Sequence, residues 1–168
     1  QGEDAMAITI PAGGNKQPYS EETSVEFDDE SGNWRSQNQF FMEGDDVFNF
    51  VINQTPEMID ELLKYAKVDK SDIDCFVCHQ PNAFMLIKLA EKIEVPIEKM
   101  PNDIVAIYGN SNSATIPVTL CHYYDKIYGN AKKRKLLFAS FGSGLALGGV
   151  LIDLPKLSFC NIIEYPKE

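Results

Sequence analysis

The chain has 168 residues, of which 44% are apolar, so it is long enough to bury the core of an ordinary globular domain. Its formal net charge of −10 argues against nucleic acid or an anionic membrane surface as a partner. No apolar run approaches the roughly 20 residues that a membrane-spanning helix needs. No secretory signal is visible either, so the four cysteines indicate reduced thiols in a cytoplasmic protein.

The first third of the chain is predicted to contain one strand, one long loop and one helix. Residues 5–10 are apolar and predict a buried strand, and because no element precedes it to pair with, we interpret it as a strand of a larger sheet. The chain opens without methionine, so we expect it to be a fragment or processed form of a longer protein. Residues 11–39 are polar and aperiodic, which is typical of a long surface loop, and Trp34 is expected to anchor it. The apolar spacing over 44–67 predicts a helix, with a kink or two abutting helices at Pro56.

The central stretch of the chain places a histidine where a strand ends. The apolar run Cys75–Cys78 predicts a short strand, His79 follows it directly, and Pro81 precedes a helical spacing of apolar residues over 83–93. Strand ends in open α/β sheets are frequent ligand sites, because the next helix begins there. His79, one of two histidines, therefore has two interpretations: a functional imidazole, or a side chain satisfied by backbone at a strand end.

The second half of the chain alternates helical and extended patterns. The resulting order of strand, helix, strand, helix, helix, strand and strand is typical of a layered α/β domain with a mixed sheet. The predicted elements are an extended segment at 104–107, a polar turn at 108–113, a helix over 114–127, and strands at 135–140 and 146–154.

Three short polar loops, each beside a buried element, are candidates for a shared site. The loop at 78–82 offers an imidazole, the loop at 108–113 an amide donor, and the loop at 141–144 backbone N–H groups exposed by glycine. Neutral donors aimed at one point stabilise the negative oxygen that develops on an ester or thioester carbonyl. We expect His79, Asn110 and the third loop to face one cavity. Each loop also has a purely structural interpretation, as a helix cap at Asn110 or as a hairpin at 141–144.

The sequence motifs in these loops resemble those of one family. They are His-Gln-Pro-Asn at 79–82, Tyr-Gly-Asn-Ser at 108–111 with Ile-Pro at 116–117, and Phe-Gly-Ser-Gly at 141–144. In this order and at about this spacing they resemble the C-terminal half of 3-oxoacyl-[acyl-carrier-protein] synthase III, a thiolase-fold condensing enzyme. The resemblance implies an α/β, thiolase-like half with a mixed five-stranded sheet layered with helices. It also implies that residues 1–168 form the C-terminal domain of such an enzyme.

The resemblance implies a decarboxylative Claisen condensation of an acyl thioester with malonyl-acyl-carrier protein, as in fatty-acid or related biosynthesis. His79 and Asn110 match the pair that holds the malonyl thioester carbonyl while carbon dioxide leaves, and neutral donors suit the enolate that forms. Ser143 matches the position whose backbone N–H binds the oxygen of the acyl intermediate. The implied substrates are coenzyme A and carrier-protein thioesters, with no cofactor and no metal ion. No buried carboxylate partner for His79 is evident in the sequence.

The resemblance also implies partners: acyl carrier protein, acyl-coenzyme A and, in the full-length protein, a second copy of the chain. Two positions, Phe48 and Asn82, resemble residues that line the channel for coenzyme A and pantetheine. The segment that matches the carrier-protein contact consists of Gln80, Pro81, Asn82, Ala83 and Phe84.

The chain departs from the family pattern in three ways. Phe84 stands where the family often has an arginine that meets the acidic carrier protein, and Asn49 stands where a lysine is common. Lys88 and Lys92 are candidates to replace those charges. The acyl-accepting cysteine of the family belongs to the N-terminal half and none of the four cysteines matches it, so this chain alone is expected to be inactive.

Two other functions stay open at this stage. Cys75, Cys78 and His79 match the C-x-x-C-H pattern of c-type haem attachment, but positions three apart in a strand point to opposite faces. We therefore disfavour haem and expect both thiols to be reduced and unbridged. The second alternative is a non-catalytic module of the same fold that binds acyl thioesters or coenzyme A. In that module the basic run at 132–135 meets coenzyme A phosphates, although such runs are more often solvated turns.

Overall fold

The computed structural model describes residues 2–29 and 32–164, and the chain groups into two compact units. Short antiparallel pairs of strands belong to the first unit, and a three-stranded sheet with helices characterises the second. The first unit falls within 1–50 and 142–146, and the second within 51–141 and 147–168.

The described residues form strands in three sheets, together with four α-helices. The strands are β1 (Ile8–Thr9), β2 (Phe27–Asp28), β3 (Trp34–Arg35), β4 (Phe41–Met42), β5 (Cys75–Cys78), β6 (Lys133–Gly142) and β7 (Ala146–Pro155). The helices are α1 (Gly44–Ala66), α2 (Ala83–Lys92), α3 (Ile104–Tyr108) and α4 (Thr115–Tyr128).

The polar loop of the first unit is fastened by an arginine instead of its tryptophan. β1 pairs antiparallel with β4, and β2 pairs antiparallel with β3. The expectation that Trp34 anchors the loop is wrong, because its side chain is 70% exposed. Arg35 does this instead: its guanidinium ion-pairs with the Asp29 carboxylate and lies 4.8 Å from the ring centroid of Phe41. It also donates a hydrogen bond to the carbonyl of Phe40.

Helix α1 continues through Pro56, where the sequence predicted a kink or two helices. Its buried positions recur every four residues, at Val47, Val51, Ile59 and Leu63, with the buried Thr55 completing the series. Packing of this stripe on both sides of the proline offsets the hydrogen bond that proline cannot make. The helix therefore forms one element across a position that local propensity disfavours.

The sheet of the second unit has the order β5-β6-β7. β5 and β6 are parallel, with Cys75 opposite Leu136 and Cys78 opposite Ala139. The short connection from β6 to β7 makes that pair a hairpin, so the sheet is mixed as predicted. All four residues of β5 are buried, which is typical of a strand covered on both faces.

The α/β class predicted from the sequence is confirmed, but the sheet in the described residues has three strands instead of five. Residues 5–10 contribute only the two-residue β1, which pairs with β4 outside this sheet. Residues 104–107, predicted to be extended, lie in helix α3. A run of four apolar residues does not distinguish a strand from a short helix, and here Gly109, with φ +73°, ends the helical turn.

Helix α4 packs against the C-terminal segment through two tyrosines. The rings of Tyr124 and Tyr128 stack with centroids 4.5 Å apart. The Tyr124 hydroxyl donates to the Leu157 carbonyl, and the Tyr128 hydroxyl donates to the Leu154 carbonyl at 3.0 Å. Because these hydroxyls satisfy backbone groups at the end of β7 and just beyond it, the segment is held on the helix by hydrogen bonds as well as apolar contact.

In residues 2–29 and 32–164 no helix has both the length and the apolar character needed to cross a membrane. Within the same ranges, no group of three or more histidine, cysteine, aspartate or glutamate side chains is arranged to hold a metal ion.

Candidate functional site

The parallel ladder between β5 and β6 fixes the backbone of His79. Its N–H donates to the Ala139 carbonyl at 2.8 Å, which extends the ladder one residue beyond Cys78. Pro81 and the start of α2 then turn the chain away from the sheet. His79 thus lies at the carboxyl end of a buried strand, where the sequence predicted it.

The imidazole of His79 is half-buried and has a hydroxyl as its nearest polar partner. Its Nδ1 lies 2.6 Å from Oγ1 of Thr115, and its ring meets Phe141 edge-on with centroids 5.6 Å apart. Burial lowers the pKa of His79 below the ordinary histidine value, and a hydrogen bond to the Asn112 carbonyl acts in the opposite direction. A neutral imidazole is therefore favoured, in a site where sequence inspection had found no carboxylate partner.

Asn110 lies in the turn between α3 and α4, and its side chain is oriented by the turn itself. Oδ1 of Asn110 accepts a hydrogen bond from the backbone N–H of Asn112 at 2.9 Å. Asn112 has a positive φ of +50°, which asparagine tolerates better than most residues. Because Oδ1 is engaged in the turn, the amide nitrogen is the end of the carboxamide that remains to meet a ligand.

A continuous hydrogen-bonded path joins the two side chains that the sequence singled out. The Thr115 hydroxyl contacts the His79 ring on one side and lies 2.9 Å from the Asn112 carbonyl on the other. The N–H of that same Asn112 is held by Asn110. The path His79, Thr115, Asn112 and Asn110 therefore links the two side chains within the second unit, and that their two donors face one point stays a prediction.

Sequence reasoning did not identify Thr115 or Asn112 as site residues. A signal was present, because Thr115 follows Asn110 by five residues and directly precedes the Ile116–Pro117 pair of the second motif. Thr115 opens helix α4 and is fully buried, so its short hydroxyl had to find a partner inside the molecule. That requirement is visible only once the helix is placed against β5.

Gln80 stabilises the strand end and is not available to a partner protein. Its Nε2 donates to the carbonyls of Cys78, at 3.1 Å, and Pro101, at 2.8 Å. The side chain is 0% exposed, which corrects the expectation that Gln80 contacts a carrier protein. Since it bridges β5 and the segment before α3, its role is to hold the backbone on which His79 sits.

The rest of the predicted carrier-protein segment lies at or near the surface. Asn82 caps α2, its Oδ1 accepting from the Met85 N–H at 2.8 Å, and Ala83 begins the helix on its exposed side. Phe84 is 61% exposed, and Pro81 is half-buried. The cap explains why asparagine suits position 82, whether or not it also contacts a ligand.

Two predicted site residues belong to the first unit. Ser143 is exposed in the turn between β6 and β7, followed by Gly144 with φ +138°. Phe48 lies half-buried near the start of α1. His79, Asn82 and Asn110 belong to the second unit. That the turn faces the same cavity as His79 and Asn110 stays a prediction.

The burial of Cys75 and Cys78 removes the haem interpretation. Both cysteines are free, both side chains are buried in β5, and burial raises the pKa of each thiol to about 12. Haem attachment needs two thiols that reach the same exposed group, and thiols on opposite faces of a covered strand do not offer this. The motif is therefore a core strand with a histidine at its end.

The basic run at 132–135 is largely occupied by ion pairs. Nζ of Lys133 lies 3.1 Å from Oδ2 of Asp153, and Lys135 approaches the same carboxylate at 3.8 Å. Arg134 lies 3.0 Å from Oδ1 of Asp74 and also donates to the Ile127 carbonyl. These contacts favour the structural interpretation of the run over a phosphate-binding one.

The fold is that of a thiolase-like α/β half-domain, with a histidine at a strand end and an asparagine turn joined to it through the Thr115 hydroxyl. Comparison with protein families then gives a specific match: the family described as 3-Oxoacyl-[acyl-carrier-protein (ACP)] synthase III C terminal covers residues 63–154. The chain belongs to that family, as the three motifs indicated.

Individual relatives agree with the family. Beta-ketoacyl-[acyl-carrier-protein] synthase III of Fusobacterium nucleatum is 31% identical over 153 residues, which is 90% of this chain and 43% of the relative. Beta-ketoacyl-[acyl-carrier-protein] synthase III 1 of Lactiplantibacillus plantarum is 34% identical over 120 residues, or 71% of this chain and 35% of the relative. The crystal structure of a 3-oxoacyl-(acyl-carrier protein) synthase from Burkholderia xenovorans superposes with a TM-score of 0.84 at 30% identity, covering 98% of this chain and 45% of that one. The chain thus spans less than half the length of these relatives.

Proposed function

We propose that the protein containing this chain is an acyltransferase of the 3-oxoacyl-[acyl-carrier-protein] synthase III type. It would join an acyl thioester to malonyl-acyl-carrier protein with loss of carbon dioxide, in fatty-acid or related biosynthesis in the cytoplasm. The observation that supports the proposal is the path of hydrogen bonds from His79 to Asn110, because it ties both neutral donors to one turn of the chain. Relatives bearing this name support it.

The proposed chemistry begins with decarboxylation. The bond between the malonyl methylene carbon and its carboxylate breaks, carbon dioxide leaves, and the electron pair stays on the thioester as an enolate. Nε2–H of His79 and Nδ2–H of Asn110 donate to the enolate oxygen, whose negative charge exceeds that of the original carbonyl. The two donors thus lower the barrier to decarboxylation, and no cofactor is needed for the step.

The enolate then makes the new carbon–carbon bond. Its methylene carbon attacks the carbonyl of an acyl group held on a cysteine, which the family resemblance assigns to the N-terminal half. The cysteine thiolate leaves, and the product is a 3-oxoacyl thioester. The backbone N–H of Ser143 would bind the acyl oxygen during this step, while Phe48 and Asn82 would line the channel for the pantetheine arm. This chain alone would accordingly be inactive, and the full-length protein would act as a dimer.

The proposed carrier-protein contact is the exposed edge formed by Pro81, Asn82, Ala83 and Phe84. Phe84 projects an aromatic ring where the family often has an arginine. The nearby ammonium of Lys88 lies 6.0 Å from that ring centroid, but it already pairs with Glu91 at 2.7 Å. Contact with a carrier protein at this edge would therefore depend more on apolar burial than on charge.

The test is a pair of assays on the full-length protein with His79→Ala and Asn110→Ala. Carbon dioxide release from malonyl-acyl-carrier protein should fall about 10²–10³-fold in each variant, because each loses one donor to the enolate oxygen. Transfer of a labelled acyl group from acyl-coenzyme A to the enzyme should stay near the wild-type rate. The double variant should lose less than the product of the two single losses, since both donors act on one oxygen.

Three outcomes would contradict the proposal. Wild-type decarboxylation in both variants would show that this pair is not the donor pair. Equal collapse of acyl loading would show that His79 also activates the cysteine, so that the two half-reactions are not separate. Acyl-coenzyme A binding without any decarboxylation by the wild-type protein would indicate the non-catalytic binding module instead.

A further inference from the structure

The Thr115 hydroxyl lies close to three groups: the His79 ring, the Asn112 carbonyl and the Gln80 backbone N–H. The Thr115 side chain is 0% exposed. Its Oγ1 lies 2.6 Å from Nδ1 of His79, 2.9 Å from the Asn112 carbonyl oxygen and 3.3 Å from the Gln80 backbone nitrogen. A buried hydroxyl with three such neighbours determines where protons lie in the site, because it carries only one hydrogen.

The roles of two of the three neighbours are fixed by their chemistry. The Gln80 N–H can only donate to Oγ1, and the Asn112 carbonyl can only accept from it. Nδ1 of His79 can do either. If the hydroxyl donates to Asn112, Nδ1 must carry the imidazole proton; if the hydroxyl donates to Nδ1, the proton of a neutral ring is on Nε2. The two arrangements present opposite groups to a ligand: a lone pair on Nε2 in the first and an N–H donor in the second.

The distances favour the second arrangement. A separation of 2.6 Å between Oγ1 and Nδ1 is shorter than the usual range of about 2.7–3.2 Å for a bond that an N–H donates to oxygen, so it does not fit Nδ1–H as the donor. The 2.9 Å contact with the Asn112 carbonyl is the longer of the two that compete for the hydroxyl hydrogen. Burial also favours a neutral ring, and only a neutral ring can leave a lone pair on Nδ1 for the hydroxyl hydrogen. The hydrogen bond from the ring to the Asn112 carbonyl stabilises the protonated form, whose share burial reduces.

We propose that Thr115 is a positioning residue that donates its hydroxyl hydrogen to Nδ1 of His79 and thereby keeps the imidazole proton on Nε2. The inference rests on the proposed function, in which Nε2–H is the donor to the enolate oxygen. It also explains why a hydroxyl, and not a carboxylate, lies beside Nδ1 of His79. A carboxylate would favour imidazolium, which is a far stronger acid and would protonate the enolate before it could form a carbon–carbon bond. A neutral N–H stabilises the oxyanion without giving up its proton.

The decisive measurement is the tautomer of His79 in the full-length protein. With ¹⁵N-labelled histidine, two-bond nitrogen–proton correlations at about pH 8, above the ordinary histidine pKa, identify which ring nitrogen carries the proton. The His79 signal is assigned by its loss in His79→Gln. We expect Nε2–H in the wild type and in Thr115→Ser, which keeps the hydroxyl. In Thr115→Val, which keeps the shape and loses the hydroxyl, the ring should shift toward Nδ1–H donated to the Asn112 carbonyl.

The tautomer measurement also predicts a rate. Because only the Nε2–H form is competent, the decarboxylation rate of Thr115→Val should fall in proportion to the remaining fraction of that tautomer, down to about 10²–10³-fold if the ring shifts completely. Thr115→Ser should stay within a few-fold of wild type, and acyl loading should not change in either variant. A general loss of structure would lower both half-reactions together and would not follow the tautomer fraction.

The outcomes separate this inference from the proposed function. Nδ1–H in the wild type overturns the inference on its own, whatever the assays show, and needs no folded Val variant. Unchanged Nε2–H in Thr115→Val also overturns it, since the hydroxyl then does not set the tautomer. Wild-type decarboxylation by His79→Ala overturns the proposed function, while the measured ring proton still decides whether Thr115 orients the imidazole.

Discussion

The two histidines of the chain sit in two regions that share a local motif and differ in everything around it. Nδ1 of His79 lies 2.6 Å from the Thr115 hydroxyl, and Nδ1 of His122 lies 2.9 Å from the Tyr108 hydroxyl. Each ring also meets an aromatic side chain edge-on, Phe141 in the first case and Tyr108 in the second. A hydroxyl beside an imidazole and an aromatic edge is thus not sufficient to mark a functional site.

The surroundings make the difference. The hydroxyl beside His79 is buried and tied on its far side to the Asn112 turn, while the backbone of His79 is held by the parallel sheet. His122 lies in the middle of α4 and is exposed. Its partner is the hydroxyl of Tyr108, whose side chain is also exposed. A hydrogen bond orients a side chain, and determines which of its atoms carries the proton, only when the hydrogen-bond partner is itself held in place.

Catalysis should show the largest contrast between the two regions. His79→Ala should reduce malonyl decarboxylation about 10²–10³-fold, which corresponds to roughly 2.7–4 kcal/mol of transition-state stabilisation. His122→Ala removes the same kind of ring from the exposed region and should stay within about twofold. Carbon dioxide release by the full-length protein measures both. A comparable loss in the two variants would show that the site extends to α4 beyond the residues described here.

The next largest effect is expected on stability, at the end of strand β5 where Gln80 lies. Gln80→Leu keeps the volume of a buried side chain and removes the donor to the Cys78 and Pro101 carbonyls. Each buried carbonyl left without a donor costs about 1–3 kcal/mol, while leucine also removes the Gln80 Oε1, which is buried without a hydrogen-bond partner. We therefore expect a net loss of about 1–4 kcal/mol in the free energy of unfolding.

Urea denaturation followed by circular dichroism checks this loss, with the midpoint and slope fitted separately. Asn82→Asp is the matched control, because aspartate retains the cap of α2 while adding a charge at the exposed end. A Gln80→Leu protein as stable as wild type would mean that ordered water replaces the amide.

A smaller effect on stability is expected when the hydroxyl beside each histidine is removed, and it compares the two regions directly. Thr115→Val leaves the Gln80 N–H and the His79 ring with one partner fewer inside the protein and should destabilise it by about 1–3 kcal/mol. Tyr108→Phe removes the exposed hydroxyl beside His122 and should change stability by less than about 0.5 kcal/mol. The same denaturation series measures both, and equal effects would show that burial does not separate the two regions.

The smallest expected effect is a pH dependence confined to the His79 region. Burial lowers the pKa of His79 in the folded protein below its value of about 6.5 in the unfolded chain. Between these two values the unfolded chain holds a proton on this residue that the folded protein lacks, so stability falls as the pH decreases through that window. His79→Gln, which does not titrate, should lack this component.

The measurement for this prediction is the difference in unfolding free energy between wild type and His79→Gln at a series of pH values. The wild type should lose stability relative to His79→Gln as the pH falls below about 6.5. A shift in favour of the wild type would mean that the ring gains a proton on folding, and the neutral donor assigned to His79 would then be wrong.

Much of the site follows from local sequence. Pro81 after a buried strand locates His79 at the end of that strand, and Gly109 before Asn110 places the carboxamide in a turn, because these residues restrict the backbone by themselves. The family motifs gave the order of the three loops. Short apolar runs were less informative: residues 104–107 became helix α3, and Pro56 did not interrupt α1.

Tertiary structure decided which residue contacts Nδ1 of His79 and whether the side chain of Gln80 is buried or exposed. Thr115 is separated from His79 by 36 positions, and no periodicity predicts that its hydroxyl points at that ring. Gln80 stands in a motif whose neighbours are exposed, yet its side chain turns inward to bridge two carbonyls. Local sequence determines where the backbone bends and which groups can donate, because those properties belong to single residues. Which donor meets which acceptor depends on how helix α4 packs against β5, and that arrangement is fixed by the burial of apolar side chains distributed over the whole unit.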